Sequence, residues 1–327
     1  MSATQNLLQK AGRWKLWEAA LWLLALASPF LLSTHALIIN EIAIVALFAL
    51  SLDLILGYAG IVSLGHAAFF GMGAYSAALF AKFVMPDPLV GLAVGMASAT
   101  VLGALCSATI IRGTDLTRLM VTLGVGLILM ELANKLDWLT GGADGLQGVM
   151  SSPILGIWDF DLWGHTAYLY SLAVLFVCFW LSRRVVHSTF GLSLKAIKGN
   201  ALRARAIGVP VNARLVAVYT LAAAIAGVAG ALLAQTTQSA SPDMIAFHRS
   251  ADALLILVFG GAGYLYGGLI GAVLFRVMQD VIGAITLQYW QFWLGLVLVL
   301  LVLFVRGGVI GLMEGWMNRI TRKGDAP

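Results

Sequence analysis

Apolar residues run along this chain in long unbroken stretches, without the strict alternation of a half-buried strand or the polar stripe of a surface helix. Crossing a hydrocarbon layer as a helix takes roughly 20 predominantly apolar residues. Nine stretches qualify: about 17–33, 36–56, 61–81, 89–111, 118–136, 166–182, 214–235, 264–284 and 289–306. A further apolar stretch, 244–260, is short and ends in Gly260-Gly261-Ala262-Gly263, a cluster able to reverse the chain. A membrane barrel would alternate apolar and polar positions, so continuous runs predict an all-α polytopic membrane protein. The longest polar segments, about 138–165 and 183–213, are too short for a soluble domain, and the whole chain, 1–327, reads as a single transmembrane domain.

The placement of Lys and Arg orients these spans, because cytoplasmic loops carry the excess of them. Lys10, Arg13 and Lys15 precede the first span. Arg183, Arg184, Lys195, Lys198, Arg203, Arg205 and Arg214 crowd the segment after the sixth, with no acid among them. Arg306, Arg319, Arg322 and Lys323 follow the last. All three regions are expected in the cytoplasm. The 138–165 loop holds Asp144, Asp159 and Asp161 but no Lys or Arg, and is expected in the periplasm. Nine crossings would put the two basic termini on opposite sides. Counting 244–260 restores parity, giving about ten crossings, one of them short or re-entrant, with both termini cytoplasmic. Ala25-Leu26-Ala27 has the small-residue look of a signal cleavage site, but the apolar run continues to Leu32, and the stretch is read as the first span.

Composition closes off the alternatives. Of 327 residues, 61% are hydrophobic and 11% charged, with a mean hydropathy of +0.93. Soluble domains are nearer 45–50% apolar and about 25% charged. The net charge of +5 is spread over span ends and is not gathered with aromatics, so no nucleic-acid partner is expected. Cys106 and Cys178 both fall inside apolar runs and read as small packing residues; neither a disulfide nor a metal site is expected. The chain lacks a phosphate-binding G-x-x-x-x-G-K-[ST] loop, a nucleophile elbow and an H-E-x-x-H. It is therefore not expected to be an enzyme or to bind a cofactor or ATP itself.

Four places could carry function. The segment Gly57–Tyr75 places Gly57, Gly60, Gly65, Gly71 and Gly73 in an apolar context beside Ser63, His66 and Tyr75. Small residues let helix backbones approach closely, and enough of them loosen a helix so that a polar solute could meet exposed backbone. The pattern therefore suits tight packing or the wall of a translocation path, and Gly60, Ser63, Gly65, His66, Gly71 and Tyr75 are the candidates for the second reading. Among acids within spans, Glu41 lies near an outer end and Asp53 beside the glycine-rich turn. Glu131 lies deeper; it either lines the path or pairs with Lys135 one helical turn on. In the outer loop, Thr140, Gly141, Gly142, Asp144 and Gly145 define a shaped turn, suited to its own fold or to docking an external partner. The 191–210 segment, finally, predicts two short amphipathic helices interrupted at Gly199-Asn200 and stopped by Gly208 and Pro210. Such a broken helix fits a cleft on a partner protein or a surface of anionic lipid.

Three of these stretches together, Gly57–Tyr75, Leu139–Leu146 and 191–210, resemble the permease subunits of ATP-binding-cassette (ABC) importers for branched-chain amino acids, as does the late glycine stretch Val258–Gly268. Within that family the chain looks more like the second permease type, with the long outer loop. The resemblance implies a coupling loop that docks on an ATPase, carried here by Lys195, Asn200, Ala204, Arg205, Ala206 and Gly208. Gly199, Ala201 and Arg203 depart from the family pattern, which usually has acids flanking the asparagine. The implied partners are a second permease subunit forming a heterodimer, two cytoplasmic ATPase subunits and a periplasmic substrate-binding protein, in a bacterial inner membrane. Branched-chain amino acids are the implied cargo, with urea, short amides and other small polar solutes as alternatives. A self-contained secondary transporter or channel is the competing reading; it calls for chains of buried ion pairs or charged rings, where this sequence offers scattered acids.

Overall fold

The computed structural model describes residues 14, 16–31, 35–110, 113, 115–161, 164–285 and parts of 289–312. The expected last span, 289–306, lies largely outside these, as do the basic residues of both termini. The described residues are helical, with two isolated bridges, Leu146 to Ala240 and Ile154 to Trp158, and no strand.

The long helices follow the apolar runs. They are α1 (Leu16–Leu31), α2 (Ala36–Asp53, continued by a π-helical turn, Leu54–Tyr58), α3 (Ala67–Phe83), α4 (Pro88–Ile110) and α5 (Asp115–Lys135). After the outer loop come α6 (His165–Val186), the short α7 (Thr189–Gly199) and α8 (Ala201–Ala206), then α9 (Val211–Thr237), α10 (Phe247–Gly260) and α11 (Gly267–Ile285). Six helical segments among the described residues are long and apolar enough to span a membrane, those of α2, α4, α5, α6, α9 and α11, while α1 and α3 are apolar but shorter. The chain is thus a multi-pass membrane protein.

Three boundaries differ from the sequence reading. The span expected to begin at 61 starts at Ala67, because 59–65 leaves the helix: Gly60 adopts φ +75° and reverses the backbone there. The helix expected to end at 182 runs on to Val186, so Arg183 and Arg184 belong to the last turn of α6. The outer loop, expected from 138, opens with a helical turn, Asp137–Thr140.

The core is organised on α9 and α2. In their span windows 72% of residues are buried, against 11% in α5, which lies at the edge of the bundle. Packing of α3, α4 and α9 depends on glycine. A side chain at Gly73 would overlap Gly227, one at Gly227 would meet Ala99, and one at Gly230 would strike the Phe70 carbonyl. In lipid there is little hydrophobic drive between helices, so such close backbone contact supplies the attraction. The α10–α11 hairpin uses the same device, with Gly260 against Gly267, and Gly271 against the Ile256 carbonyl. Glu18 at the start of α1 and Arg183 at the end of α6 form a buried ion pair at 2.8 Å, and the guanidinium lies 4.7 Å from the Trp14 ring.

Candidate functional site: the glycine-rich turn and the broken helix

Beyond the end of α6, Ser188 begins α7 by accepting a hydrogen bond from the Phe190 N–H at 3.2 Å. Gly191, Leu194 and Ile197 turn inward, which makes α7 the amphipathic helix its pattern predicts. At Asn200 the backbone becomes extended, and the side-chain oxygen accepts from the Arg203 N–H at 2.9 Å to start α8. Asn200 therefore both breaks the first helix and caps the second. Gly208, at φ +86°, ends the motif, and Arg205 reaches Asn212 at 3.2 Å. Ala204 is the buried anchor of α8, while Leu202 and Ile207, both 76% exposed, stand outward among Arg203 and Arg205. Two large apolar side chains presented among cations make a surface open to a protein partner or to anionic lipid. The sequence singled out the basic residues and the asparagine; that Leu202 and Ile207 both point away from the protein depends on the angle at which α8 leaves α7.

This motif is tied to the interior. Lys198 donates from Nζ to the Gly57 carbonyl at 2.6 Å, in the π-helical turn that ends α2. The wider turn leaves carbonyls poorly paired and is a common device at functional positions. Lys195 lies 5.6 Å over the Tyr58 ring, and a side chain at Gly60 would press on the Lys198 chain. One turn earlier, the Asp53 carboxylate accepts from the Gly263 N–H at 2.7 Å. Gly263 lies in the turn joining α10 to α11, at φ +91°. From the surface inward, then, Lys198, Gly57, Asp53 and Gly263 link the broken helix to the α10–α11 hairpin.

The residues considered for a path fall into two groups. Ser63, Gly65, His66, Gly71 and Tyr75 are buried in the chain's own packing. His66 lies 2.8 Å from the Ser51 hydroxyl, with its ring stacked on Phe48 and edge-on to Phe69. The start of α3 is capped by Ser250 of α10, whose hydroxyl accepts from the Ala67 N–H at 2.8 Å. Gly65 packs on the Thr122 carbonyl of α5 and Gly71 on Ile245. Gly60 and Glu131 are exposed instead, and Glu131 pairs with Lys135 at 3.2 Å.

In the 138–165 loop and at its entry, Thr140 donates to the carbonyls of Ala133 (2.5 Å) and Leu136 (2.9 Å), and Gly141, Gly142 and Gly145 take positive φ. Gly145 lies flat against Ala240, where Leu146 and Ala240 exchange two backbone hydrogen bonds of 2.7 and 3.0 Å. Asp144 is exposed. Further along, Asp161 caps α6, accepting from the Thr166 N–H at 2.9 Å and the His165 N–H at 3.2 Å. The slight burial of its carboxyl acts to raise the pKa, but those hydrogen bonds outweigh it and hold the group below the usual carboxylate range. Among the described residues no group of acids, histidines and cysteines could hold a metal ion.

A glycine-packed, multi-span bundle with a basic broken helix on one face defines a transport permease. Residues 35–318 match the family described as "Branched-chain amino acid transport system / permease component", and the chain belongs to that family. It is 26% identical over 318 residues to the high-affinity branched-chain amino acid transport system permease protein LivM of Escherichia coli (strain K12), covering 90% of this chain and 75% of that one. The LivM of Salmonella typhimurium (strain LT2) is 28% identical over 324 residues with the same coverage. The autoinducer 2 import system permease protein LsrD of Escherichia coli O157:H7 is 27% identical over 286 residues, 82% of this chain and 83% of the relative. No solved structure matches the chain.

Proposed function

We propose that this protein is one of two permease subunits of an ATP-driven importer that carries branched-chain amino acids across the bacterial inner membrane. The observation that carries the reading is the α7–α8 motif, which presents Leu202, Arg203, Arg205 and Ile207 outward while Lys198 binds the Gly57 carbonyl of the core. A surface both exposed to a partner and fixed to the membrane bundle suits the transmission of force. The cargo is inferred from the two LivM relatives; the LsrD relative keeps other small polar solutes in view.

In this reading the chain crosses the membrane about ten times with both termini in the cytoplasm, α10 being the short crossing. The 138–165 loop faces the periplasm and receives a substrate-binding protein on the exposed Gly141 and Asp144, while Thr140, Gly142 and Gly145 are buried and shape the turn beneath them. Two cytoplasmic ATPase subunits hydrolyse ATP, which this chain does not bind. One of them docks on the exposed Lys195, Asn200, Arg205, Ala206 and Gly208, while Ala204, expected in the same surface, is buried and anchors α8 beneath it. Closure of the ATPase pair displaces α7, and the Lys198–Gly57 and Asp53–Gly263 hydrogen bonds pass the displacement to α2 and to the α10–α11 hairpin. Ser63, Gly65, His66, Gly71 and Tyr75 form the close-packed wall beside the path, with Gly60 at its inner end. Gly199, Ala201 and Arg203, which depart from the family pattern, point to an ATPase shaped for this chain.

The test is uptake of radiolabelled leucine by proteoliposomes holding the permease pair and the ATPase, with binding protein added outside and ATP enclosed. Accumulation that needs all components is the expected result. Leucine entry without ATP or ATPase would favour a self-contained transporter.

A further inference from the structure

A second charged region lies away from the broken helix, and the function described above does not use it. A cavity of about 370 Å³ opens between α2, α10, α11 and the turn Pro242–Met244. That size falls in the range of about 300–1,000 Å³ typical of small-molecule sites. Its wall is divided by chemistry. Val45, Phe48, Phe70, Ile256 and Phe275 make one side apolar. Glu41, Asp243, His248, Arg249, Asp252 and Arg276 make the other side charged, with both signs present.

Most of these charges already have partners. Arg276 is held by Glu41 at 3.2 Å and by Asp280 at 3.5 Å. Asp243 takes His248 at 3.1 Å and one nitrogen of Arg249 at 3.5 Å. Two groups are left over. Asp252 makes no ion pair or hydrogen bond among the described residues. The Arg249 Nε is buried and has no acceptor there. These two residues are three positions apart on α10, so both side chains leave the same face of the helix. An unpaired carboxylate and an underused guanidinium side by side above an apolar wall complement a free hydrophobic amino acid. The α-ammonium matches Asp252, the α-carboxylate matches Arg249 through charge-assisted hydrogen bonds, and the aliphatic side chain matches the Val45–Phe48–Ile256 wall.

We propose that this cavity is a binding site for a zwitterionic, aliphatic amino acid within the permease itself. The inference rests on the amino-acid reading of the cargo and adds a point at which the permease, and not only an external binding protein, selects it. The permease would then reject solutes that lack either charge, because each would leave a partly buried ion without a partner.

The test uses the purified permease–ATPase complex in lipid nanodiscs, without nucleotide or binding protein. Binding of leucine, of isocaproate (leucine without the ammonium) and of leucinamide (leucine without the carboxylate) is measured on the wild type and on Asp252→Asn and Arg249→Gln. One charge-assisted contact corresponds to a loss of roughly 10- to 100-fold in affinity. The wild type is expected to prefer leucine to both analogues. Asp252→Asn is expected to lose leucine affinity by that factor while its isocaproate affinity stays unchanged. Arg249→Gln is expected to lose leucine affinity while keeping its affinity for leucinamide. Equal weakening of all three ligands would mean general damage to the fold and overturns the site, as does unchanged leucine binding in both variants. Asp252→Glu, which keeps the charge, is expected to retain the preference for leucine over isocaproate. Leucine uptake by a wild-type complex whose binding ignores both substitutions removes the site and leaves the cargo reading standing. A wild-type complex that imports no leucine removes both.

Discussion

A carboxyl group inside an apolar bundle is costly unless donors meet it. Asp53 finds the Gly263 N–H, and a side chain at Gly57 would occupy the space its oxygens fill. Asp53→Ala is therefore expected to free the α10–α11 turn, and protection of the Gly263 amide against hydrogen exchange should fall while the chain still inserts. The Glu18–Arg183 pair is buried at both ends. Glu18→Gln removes the buried charge that balances Arg183, and losses of up to roughly 3–5 kcal/mol follow the removal of one partner from a buried pair. A large fall in the detergent-solubilised melting temperature checks this. Glu131→Gln offers the contrast. Its pair with Lys135 is 62% and 75% exposed, so the change should shift stability by less than about 1 kcal/mol. The i, i+4 spacing made the Glu131–Lys135 pair legible in the sequence. The acids Glu41 and Asp53 were legible as costly; their partners were not, since Gly263 lies 210 positions from Asp53 and only the fold brings them together.

At the scale of elements, hydrophobic runs fix where helices exist, and local chemistry fixes where they end. The break at Asn200 was legible because asparagine is poor inside a helix and good at its start. The delayed start of α3 was not, because Ile61, Val62 and Leu64 keep the stretch apolar while Gly60 turns it out of the helix. The glycines were legible as packing devices, but not which helices they join. Gly73→Val would force α3 from α9, and overpacking of this kind costs about 1–3 kcal/mol; a lower yield of folded protein on size-exclusion chromatography is expected. The start of α6 depends on pH through Asp161. Its folded-state pKa is depressed, so its contribution is fully present above the unfolded value near 3.9 and is lost as pH falls through the lower folded value. Protection of the Thr166 amide should therefore fall below about pH 4. Asp161→Ala should weaken it at neutral pH, by the roughly 1 kcal/mol that a cap contributes.

Across the whole molecule, the proposed topology and the proposed coupling stand or fall together, because a broken helix can take force from an ATPase only on the cytoplasmic side. In the proposed topology 183–213 and both termini are cytoplasmic, and α10 supplies the crossing that reconciles them. Single cysteines placed near 240 and 287 should then react with a membrane-impermeant maleimide from the periplasm only; labelling of either from the cytoplasm contradicts this topology. Pairing of α10 with α11 was foreshadowed by the glycine cluster at 260–263, whereas the Lys198–Gly57 link from α7 to α2 spans 141 positions and left no trace in the local pattern. In the proposed mechanism that link lets movement of the 191–210 segment pass into the bundle. The central claim is that transport is driven through this segment, and ATP-dependent leucine uptake by Asn200→Pro and Arg205→Glu variants tests it most directly. The account predicts that both insert into the membrane in normal amounts and that uptake is lost in each. Uptake at the wild-type rate in both variants would contradict it.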